Sequence, residues 1–127
     1  IELGPDVCEV NYGFASRFEE SGPGTNPEEL IGGAHAGCFS MALAHALGEM
    51  GHPPVRVQTM AHVHLDKAGD GFCIPTIELE TEAEVPGIDE DTFNKVANEA
   101  KQSCPVSKLV SAADITLKAK LLKSESV

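Results

Sequence analysis

NPEELIGGAHAGCFSMALAHAL, residues Asn26 to Leu47, predicts a long helix that organises the rest of the chain. Asn26 is a favourable N-cap, and its place before a proline biases it to the extended backbone that a cap requires. Pro27 suits the first helical position, and the two glutamates that follow complement the helix dipole. From Leu30 onward nearly every residue is apolar or small, up to an end near Gly51. Such a helix is expected to be buried on most of its sides.

Three glycines interrupt the predicted helix, at Gly32, Gly33 and Gly37. Each one costs about 1 kcal/mol of helix stability relative to alanine. Glycines are useful in such a helix where another backbone packs very close to it. We therefore expect a second element, or a second copy of the chain, against this helix.

The segments around this helix predict an α+β fold. Alternating residues indicate strands at 55–66 and 77–85, with a turn at 68–71 between them. A second helix starts after its cap, Asp89, and ends at Pro105, and a last strand covers 114–121. Lys118 and Lys120 favour pairing of this last strand beside the glutamates at 78–84. Before the central helix, 7–10 and 12–18 are expected to be short extended pieces.

Length and charge restrict the possible functions. The 127 residues fit one domain, 1–127, and 42% of them are hydrophobic, which excludes a disordered chain. The net charge of -11 makes nucleic acid and anionic membrane surfaces poor partners. No apolar run is expected to reach the length of about 18 residues that a membrane span needs.

The four cysteines are the main candidates for chemistry. Their wide spacing contains no CxxC motif, so a zinc finger or thioredoxin-type site is not indicated, and a reducing, cytoplasmic setting is favoured. Cys38 lies too far along its helix for the dipole to activate it, so a reactive thiol there needs a cation, for which Arg17 is the best candidate. Cys104 lies beside Pro105, where the backbone can move. Two alternatives stay open at this point: buried, inert thiols and a static disulfide. The cysteines are Cys8, Cys38, Cys73 and Cys104.

Several other residues have two readings. His62, His64 and Asp66 share one strand face and have a spacing that can bind a metal, although a solvated surface is the better interpretation. His35 is either a hydrogen-bond partner for Cys38, one turn later, or a packed histidine of the helix. Cys8 and Cys73 are interpreted as bystanders.

Two long motifs resemble the OsmC/Ohr family of hydroperoxide reductases. Residues 24–41, GTNPEELIGGAHAGCFSM, are similar to its first-cysteine signature, and 85–89 with 100–108, VPGID and AKQSCPVSK, to the segment with its second cysteine. YGF at 12–14 with SRFE at 16–19 resembles the arginine segment of the OsmC branch, as does His35 before the cysteine. The resemblance covers about residues 11–122. The strands that usually precede this arginine segment in the family are almost absent here.

The resemblance implies an OsmC-like fold in an intertwined homodimer whose active sites use both subunits. It implies thiol-dependent reduction of organic hydroperoxides, and of hydrogen peroxide less efficiently, in oxidative and osmotic stress. Cys38 matches the peroxidatic cysteine and Cys104 the resolving one. Arg17 matches the arginine that holds the thiolate and polarises the peroxide, and Glu28 the glutamate that orients it. The implied reductant is a dithiol such as a dihydrolipoyl protein, with no cofactor and no metal.

Two readings compete with peroxidase activity. One is a non-catalytic member of the same fold that binds small apolar ligands in the same pocket. The other is a structural protein with a permanently oxidised Cys38–Cys104 disulfide.

Overall fold

The computed structural model describes residues 1–5, 7–18 and 24–122 of the chain. Four helices and five strands follow one another in an α+β order, with a long helix near the beginning. The elements are α1 Phe14–Phe18, α2 Pro27–Glu49, β1 Arg56–Val63, β2 Asp66–Ala68, β3 Gly71–Cys73, β4 Thr76–Glu84, α3 Glu90–Ser103, α4 Pro105–Leu109 and β5 Asp114–Leu122. The two long helices and strands β1, β4 and β5 therefore confirm the predicted order. The strand predicted at 55–66 is shorter than expected, because β1 ends at Val63 and Asp66 belongs to β2.

Helix α2 begins as its sequence predicts. The side chain of Asn26 accepts a hydrogen bond of 2.8 Å from the backbone N–H of Glu29, and Pro27 occupies the first turn. The helix ends at Glu49, and Gly51 follows in the left-handed region at φ 83°, where glycine has no steric cost. One face of the helix is buried against β1 and α3.

The opposite face of α2 is exposed, which corrects the expectation of burial on most sides within one chain. Gly33, Ala34 and Gly37 are exposed on it, and Met41 has 75% of its surface accessible. Of the three glycines at 32, 33 and 37, only Gly32 meets a close backbone, because a Cβ there would lie 3.2 Å from the carbonyl oxygen of Ala61. A Cβ at Gly33 or Gly37 would meet nothing within 4 Å.

The length and composition of α2 also correct the expectation that no apolar run reaches the length of a membrane span. Among the described residues, Pro27–Glu49 is one helix long and apolar enough to cross a membrane by those two criteria. Central helices of globular proteins meet the same criteria. In this structure α2 packs on a sheet and buries Glu28 and His35 on its packed face, which is the arrangement of a central helix.

The main sheet is mixed, with the strand order β1-β4-β5. Strand β4 pairs antiparallel with β1 and parallel with β5. In the second pairing Glu80 lies opposite Lys118 and Glu82 opposite Lys120, as the charge pattern predicts. Strands β2 and β3 form a separate hairpin around the predicted turn.

The core lies between the buried face of α2, the inner face of the sheet and α3. A polar link crosses this layer, because Ser40 donates to Thr59 at 2.6 Å and Thr59 meets Thr81 at 3.0 Å. The buried residues of this core cluster are Phe39, Leu43, Leu47, Leu79, Ala83, Val85, Phe93, Val96, Ala97 and Ala100.

The segment before α2 differs from its prediction. Residues 12–18 were expected to be extended, but Phe14–Phe18 forms helix α1. Aromatic residues favour strands only where a neighbouring strand completes the ladder, and here Tyr12 makes a single bridge to Thr25. The prediction that 7–10 is extended agrees better with the structure, because the backbone N–H of Val10 donates to the carbonyl oxygen of Ile1 at 2.8 Å.

Candidate active site

The sulfurs of Cys38 and Cys104 meet although 66 residues separate them in the sequence. Their Sγ atoms lie 2.8 Å apart, and both residues are free thiols. Cys38 comes from the middle of α2 and is half-buried, whereas Cys104 is fully buried. The packing of α2 against α3 and α4 therefore makes a dithiol from two distant positions.

The local sequence around Cys104 explains its placement. The residue is the C-cap of α3 and the N-cap of α4, and its N–H donates to the carbonyl of Ala100 at 3.0 Å. Pro105 occupies the first turn of α4 and cannot continue α3. The chain turns at this point and directs the cysteine towards α2.

The two thiols titrate as a pair with opposite shifts. Burial raises the pKa of Cys38, and the neighbouring Cys104 raises it further, while the backbone N–H of Val106 partly opposes them. Burial also works against ionisation of Cys104, but hydrogen bonds from Cys38, from Ser107 and from the backbone of Val106 outweigh it and lower the pKa of Cys104. The surroundings of the pair therefore favour ionisation of Cys104 over ionisation of Cys38.

Arg17 and Glu28 form a second pair. Nη2 of Arg17 lies 2.7 Å from Oε1 of Glu28, and Nε donates to the same oxygen at 2.9 Å. Glu28 lies in the first turn of α2 and is nearly buried, so its carboxylate needs a cationic partner. The arginine side chain keeps 35% of its surface exposed.

An apolar cavity of about 560 Å³ adjoins the arginine. The residues that line it include Arg17, Ile31, Phe72, Ile77 and Val110. Ile31 precedes Cys38 by seven residues, or two helical turns, so both residues lie on one side of α2. The cavity offers room for an organic group about 10 Å from the thiols along the helix.

The structure brings the four predicted site residues together as two pairs and not as one cluster. The groups that change the pKa of Cys38 are Cys104 and the backbone of Val106, and Arg17 is not among them. A reactive Cys38 was expected to need a nearby cation. Within one chain, the candidate cation, Arg17, instead binds Glu28 and lies apart from the thiols.

Sequence reasoning missed the role of Ser107 in the site. It lies inside α4 and is 5% exposed, and its hydroxyl and its backbone both help to lower the pKa of Cys104. Its Oγ also lies 2.7 Å from Nε2 of His35, which is fully buried. The spacing of Ser107, three residues after Cys104 across a proline, was the available signal. His35 is thus a packed histidine whose partner is Ser107 and not Cys38.

Of the other candidate residues, His62 and His64 line a pocket together with Arg17 and Glu28. Nε2 of His62 lies 3.7 Å from Oε2 of Glu80, and Nε2 of His64 lies 3.4 Å from Oε1 of Glu78. Both histidines lie on the outer face of the sheet. Across residues 1–5, 7–18 and 24–122, no three histidine, cysteine, aspartate or glutamate side chains come close enough together to hold a metal ion. Cys8 and Cys73 are exposed and have no part in the dithiol.

Comparison with known proteins finds relatives over most of the chain. The family model described as OsmC-like protein matches residues 19–120. Peroxiredoxin OsmC of Escherichia coli K12 is 55% identical over 84% of this chain and 73% of its own length. The organic hydroperoxide resistance protein of Xanthomonas axonopodis pv. citri is 33% identical over 76% of this chain and 67% of its own.

A solved structure supports the fold. The organic hydroperoxide resistance protein OsmC of Legionella pneumophila superposes with a TM-score of 0.71, over 90% of this chain and 82% of that one, at 21% identity. The match of the family model over most of the chain and the identity to the Escherichia coli protein both exceed what a shared fold alone produces. This chain belongs to the OsmC-like protein family.

Proposed function

We propose that the protein reduces organic hydroperoxides with Cys38 as the attacking thiolate and Cys104 as the resolving thiol. Family membership supports the reaction class: the chain is a thiol-dependent peroxidase, and its relatives include a peroxiredoxin and organic hydroperoxide resistance proteins. The 2.8 Å separation of the two sulfurs is the observation that supports these two residues as the reacting pair.

The proposed reaction has two steps within the protein. The Cys38 thiolate attacks the distal oxygen of ROOH, the O–O bond breaks, and the alkoxide takes a proton and leaves as the alcohol, so that Cys38 becomes a sulfenic acid. The Cys104 thiolate then attacks Sγ of Cys38, the S–O bond breaks, and the hydroxide leaves with a proton as water. The two electrons lost by the thiols reduce the peroxide, and the product is the Cys38–Cys104 disulfide.

Arg17 is the proposed electrophile for the first step, oriented by Glu28. Its guanidinium keeps its charge and has a planar set of donors that suits a thiolate beside a peroxide oxygen. Burial raises the pKa of Cys38 in the single chain, so the site needs this cation to hold the thiolate. We propose that the arginine reaches the thiols of a second subunit.

The exposed face of α2 supports the homodimer that this requires. Gly33 and Gly37 leave open space above the helix, and Met41 is exposed beside them. We propose that a second copy of the chain covers this face. The domain is then one half of an intertwined dimer whose active sites use residues of both subunits.

The remaining parts of the proposal concern substrate and setting. The apolar cavity beside Arg17 favours hydroperoxides with an organic group over hydrogen peroxide. A dithiol, such as a dihydrolipoyl protein, returns the disulfide to two thiols in the reducing cytoplasm. The steps above use side chains alone and need no cofactor.

The same cavity also supports a second candidate, a non-catalytic member that binds small apolar ligands. Its volume of about 560 Å³ and its apolar lining suit such a ligand. A binding protein has no need of two thiols in contact, which is why catalysis is the preferred function.

A stoichiometric experiment separates these functions. Reduced protein receives one equivalent of cumene hydroperoxide, and free thiols and intact mass are followed over seconds. Loss of two thiols with a mass decrease of about 2 Da, mapped to Cys38 and Cys104, is expected. The Cys38→Ser variant abolishes the change, whereas Cys8→Ser, at an exposed thiol outside the pair and outside the lining of the cavity, retains it. Thiols that survive for minutes would overturn the peroxidase and leave ligand binding.

A further inference from the structure

Two contacts lie side by side between α2 and the segment that follows α3. Sγ of Cys38 lies 2.8 Å from Sγ of Cys104, and Nε2 of His35 lies 2.7 Å from Oγ of Ser107. His35 precedes Cys38 by three residues and Ser107 follows Cys104 by three, so the two contacts are about 4.5 Å apart along α2. The segment 104–107 therefore runs antiparallel to α2 and touches it at both ends.

Helix α4 packs on α2 through a polar side chain. The structure describes all of Pro105–Leu109, and among these residues Ser107 is the buried one, while Val106 is half-buried and Leu109 is 83% exposed. A helix of five residues is too short to be stable alone. The hydrogen bond between Ser107 and His35, which are 5% and 0% exposed, is therefore a main attachment of α4 to the central helix.

The position of Cys104 depends on α4. Its carbonyl oxygen accepts from the backbone N–H of Lys108 at 3.2 Å, which joins the cysteine to the first turn of this helix. Within this described part of the chain its side chain makes no capping hydrogen bond, and Sγ instead contacts Cys38. A shift of α4 away from α2 therefore carries the Cys104 sulfur away from Cys38.

The second nitrogen of the His35 ring makes an apolar side chain the more stable choice at this position. Among the described residues, Nδ1 is the one buried side-chain nitrogen or oxygen without a hydrogen-bond partner. A buried polar group without a partner destabilises a folded protein. What the histidine contributes in return is the contact of Nε2 with Ser107.

We propose that His35 and Ser107 are positioning residues: their hydrogen bond holds α4 against α2 and keeps Sγ of Cys104 within reach of Cys38. The inference rests on the proposed function, in which the Cys104 thiolate attacks the Cys38 sulfenic acid, the disulfide forms, and the hydroxide leaves with a proton as water. Neither positioning residue takes part in these bond changes.

Loss of this hydrogen bond has a specific consequence for the dithiol. Helix α4 then separates from α2 in a larger fraction of molecules, and the two sulfurs meet less often. The rate of disulfide formation and the equilibrium between dithiol and disulfide both fall with that fraction. Attack on the peroxide changes little, because Cys38 belongs to α2 and does not move with α4.

Five variants test the contact. Ser107→Ala and His35→Leu each remove one partner, and the double variant removes both and leaves an apolar pair. His35→Gln places an amide near the position of Nε2, where it can donate or accept, and is the conservative rescue. His35→Asn, whose amide lies nearer the position of Nδ1, is the matched control.

Two measurements are made on each protein. Reduced protein is mixed with one equivalent of tert-butyl hydroperoxide and quenched with acid, and mass spectrometry follows the sulfenic acid, which adds about 16 Da, and the disulfide, which removes about 2 Da. The reduction potential of the Cys38–Cys104 pair is measured in glutathione buffers, with the disulfide mapped by peptide digestion.

We expect Ser107→Ala, His35→Leu and the double variant to slow disulfide formation about three- to tenfold, the range that one hydrogen bond produces. The reduction potential becomes less negative by the same factor, which is about 30 mV for tenfold. The sulfenic acid forms at the parent rate and accumulates. His35→Gln restores most of both values, and His35→Asn does not.

Thermal unfolding separates positioning from general stability. The double variant is expected to unfold near the temperature of the parent, because removing both partners leaves no buried polar group without a partner. It still forms the disulfide slowly.

The inference is overturned if Ser107→Ala and the double variant keep the parent potential and the parent rate of disulfide formation. Equal losses in peroxide attack and disulfide formation, or equal losses in His35→Gln and His35→Asn, would also contradict it and mark a merely structural role. Failure of the parent protein to form either the sulfenic acid or the disulfide would instead contradict the proposed peroxidase function.

Discussion

Arg17 and Glu28 meet through a single carboxylate oxygen, which lies 2.7 Å from Nη2 and 2.9 Å from Nε of the arginine. The glutamate is held in the first turn of α2, so the rigid central helix fixes one end of the pair. The arginine belongs to α1, a helix of five residues that is too short to be stable alone. The pair therefore anchors the segment that presents the guanidinium.

Replacement of Glu28 by glutamine tests this anchoring. The amide keeps the shape and one acceptor but removes the charge that holds Arg17, so kcat/KM for cumene hydroperoxide is expected to fall about 10- to 100-fold. The free energy of unfolding changes by about 1 kcal/mol or less, because the arginine is partly exposed. Glu29→Gln, at an exposed neighbouring position, is the matched control, and an equal loss in both variants would remove the special role of Glu28.

The proposed sharing of sites between two subunits predicts complementation between inactive subunits. Arg17→Ala and Cys38→Ser chains with different tags are expressed together, and the mixed dimer is purified. If the arginine serves the partner's thiols, this dimer contains one complete site and has about half of the parent activity. Each variant alone is inactive. A mixed dimer as inactive as its parents would mean that Arg17 acts in its own chain.

The exposed face of α2 predicts the effect of a charge at Met41. Met41→Lys places an ammonium where the proposed partner packs, so dimers are expected to dissociate at micromolar concentrations and peroxidase activity to fall with them. Light scattering measures the mass. Met50→Lys, at the end of the same helix and 47% exposed, is the control and stays dimeric. Loss of the dimer in both variants would point to general unfolding of α2.

His35 predicts a dependence of stability on pH. Burial lowers the pKa of His35 from its ordinary value of 6.5, so below that value the unfolded chain binds a proton that the folded protein does not. Its contribution to stability is present above the ordinary pKa and is lost as the pH falls. The loss amounts to at most about 1.4 kcal/mol per pH unit.

Urea unfolding at pH 7.5 and pH 5.0 measures this contribution of His35. The quantity compared between variants is the free energy of unfolding lost on acidification. The parent and His45→Gln, whose imidazole is 78% exposed, are expected to lose the same free energy on acidification. His35→Gln loses less, because no buried imidazole has to be protonated on unfolding. An identical pH dependence in all three proteins would show that His35 is not protonated on unfolding in this range.

Most of the fold was predictable because its signals are local. The cap at Asn26, the cap at Asp89 and the break at Pro105 all act within a few residues, and each predicted boundary is confirmed. Strand alternation and the charges of Lys118 and Lys120 also predicted the neighbour of the last strand. Helix α1 was missed because, among the residues that the structure describes, a single bridge from Tyr12 to Thr25 is the strand-like pairing of this aromatic segment, and local sequence does not reveal that.

The sequence by itself determined which elements form and, through two long motifs, to which family their cysteines belong. The tertiary structure decided which side chains meet: Cys38 with Cys104, Arg17 with Glu28, and His35 with Ser107. The reason is physical, since capping and periodicity are properties of neighbouring residues. A contact across 66 or 72 residues depends instead on how α2 packs against α3 and α4, and no local pattern encodes it.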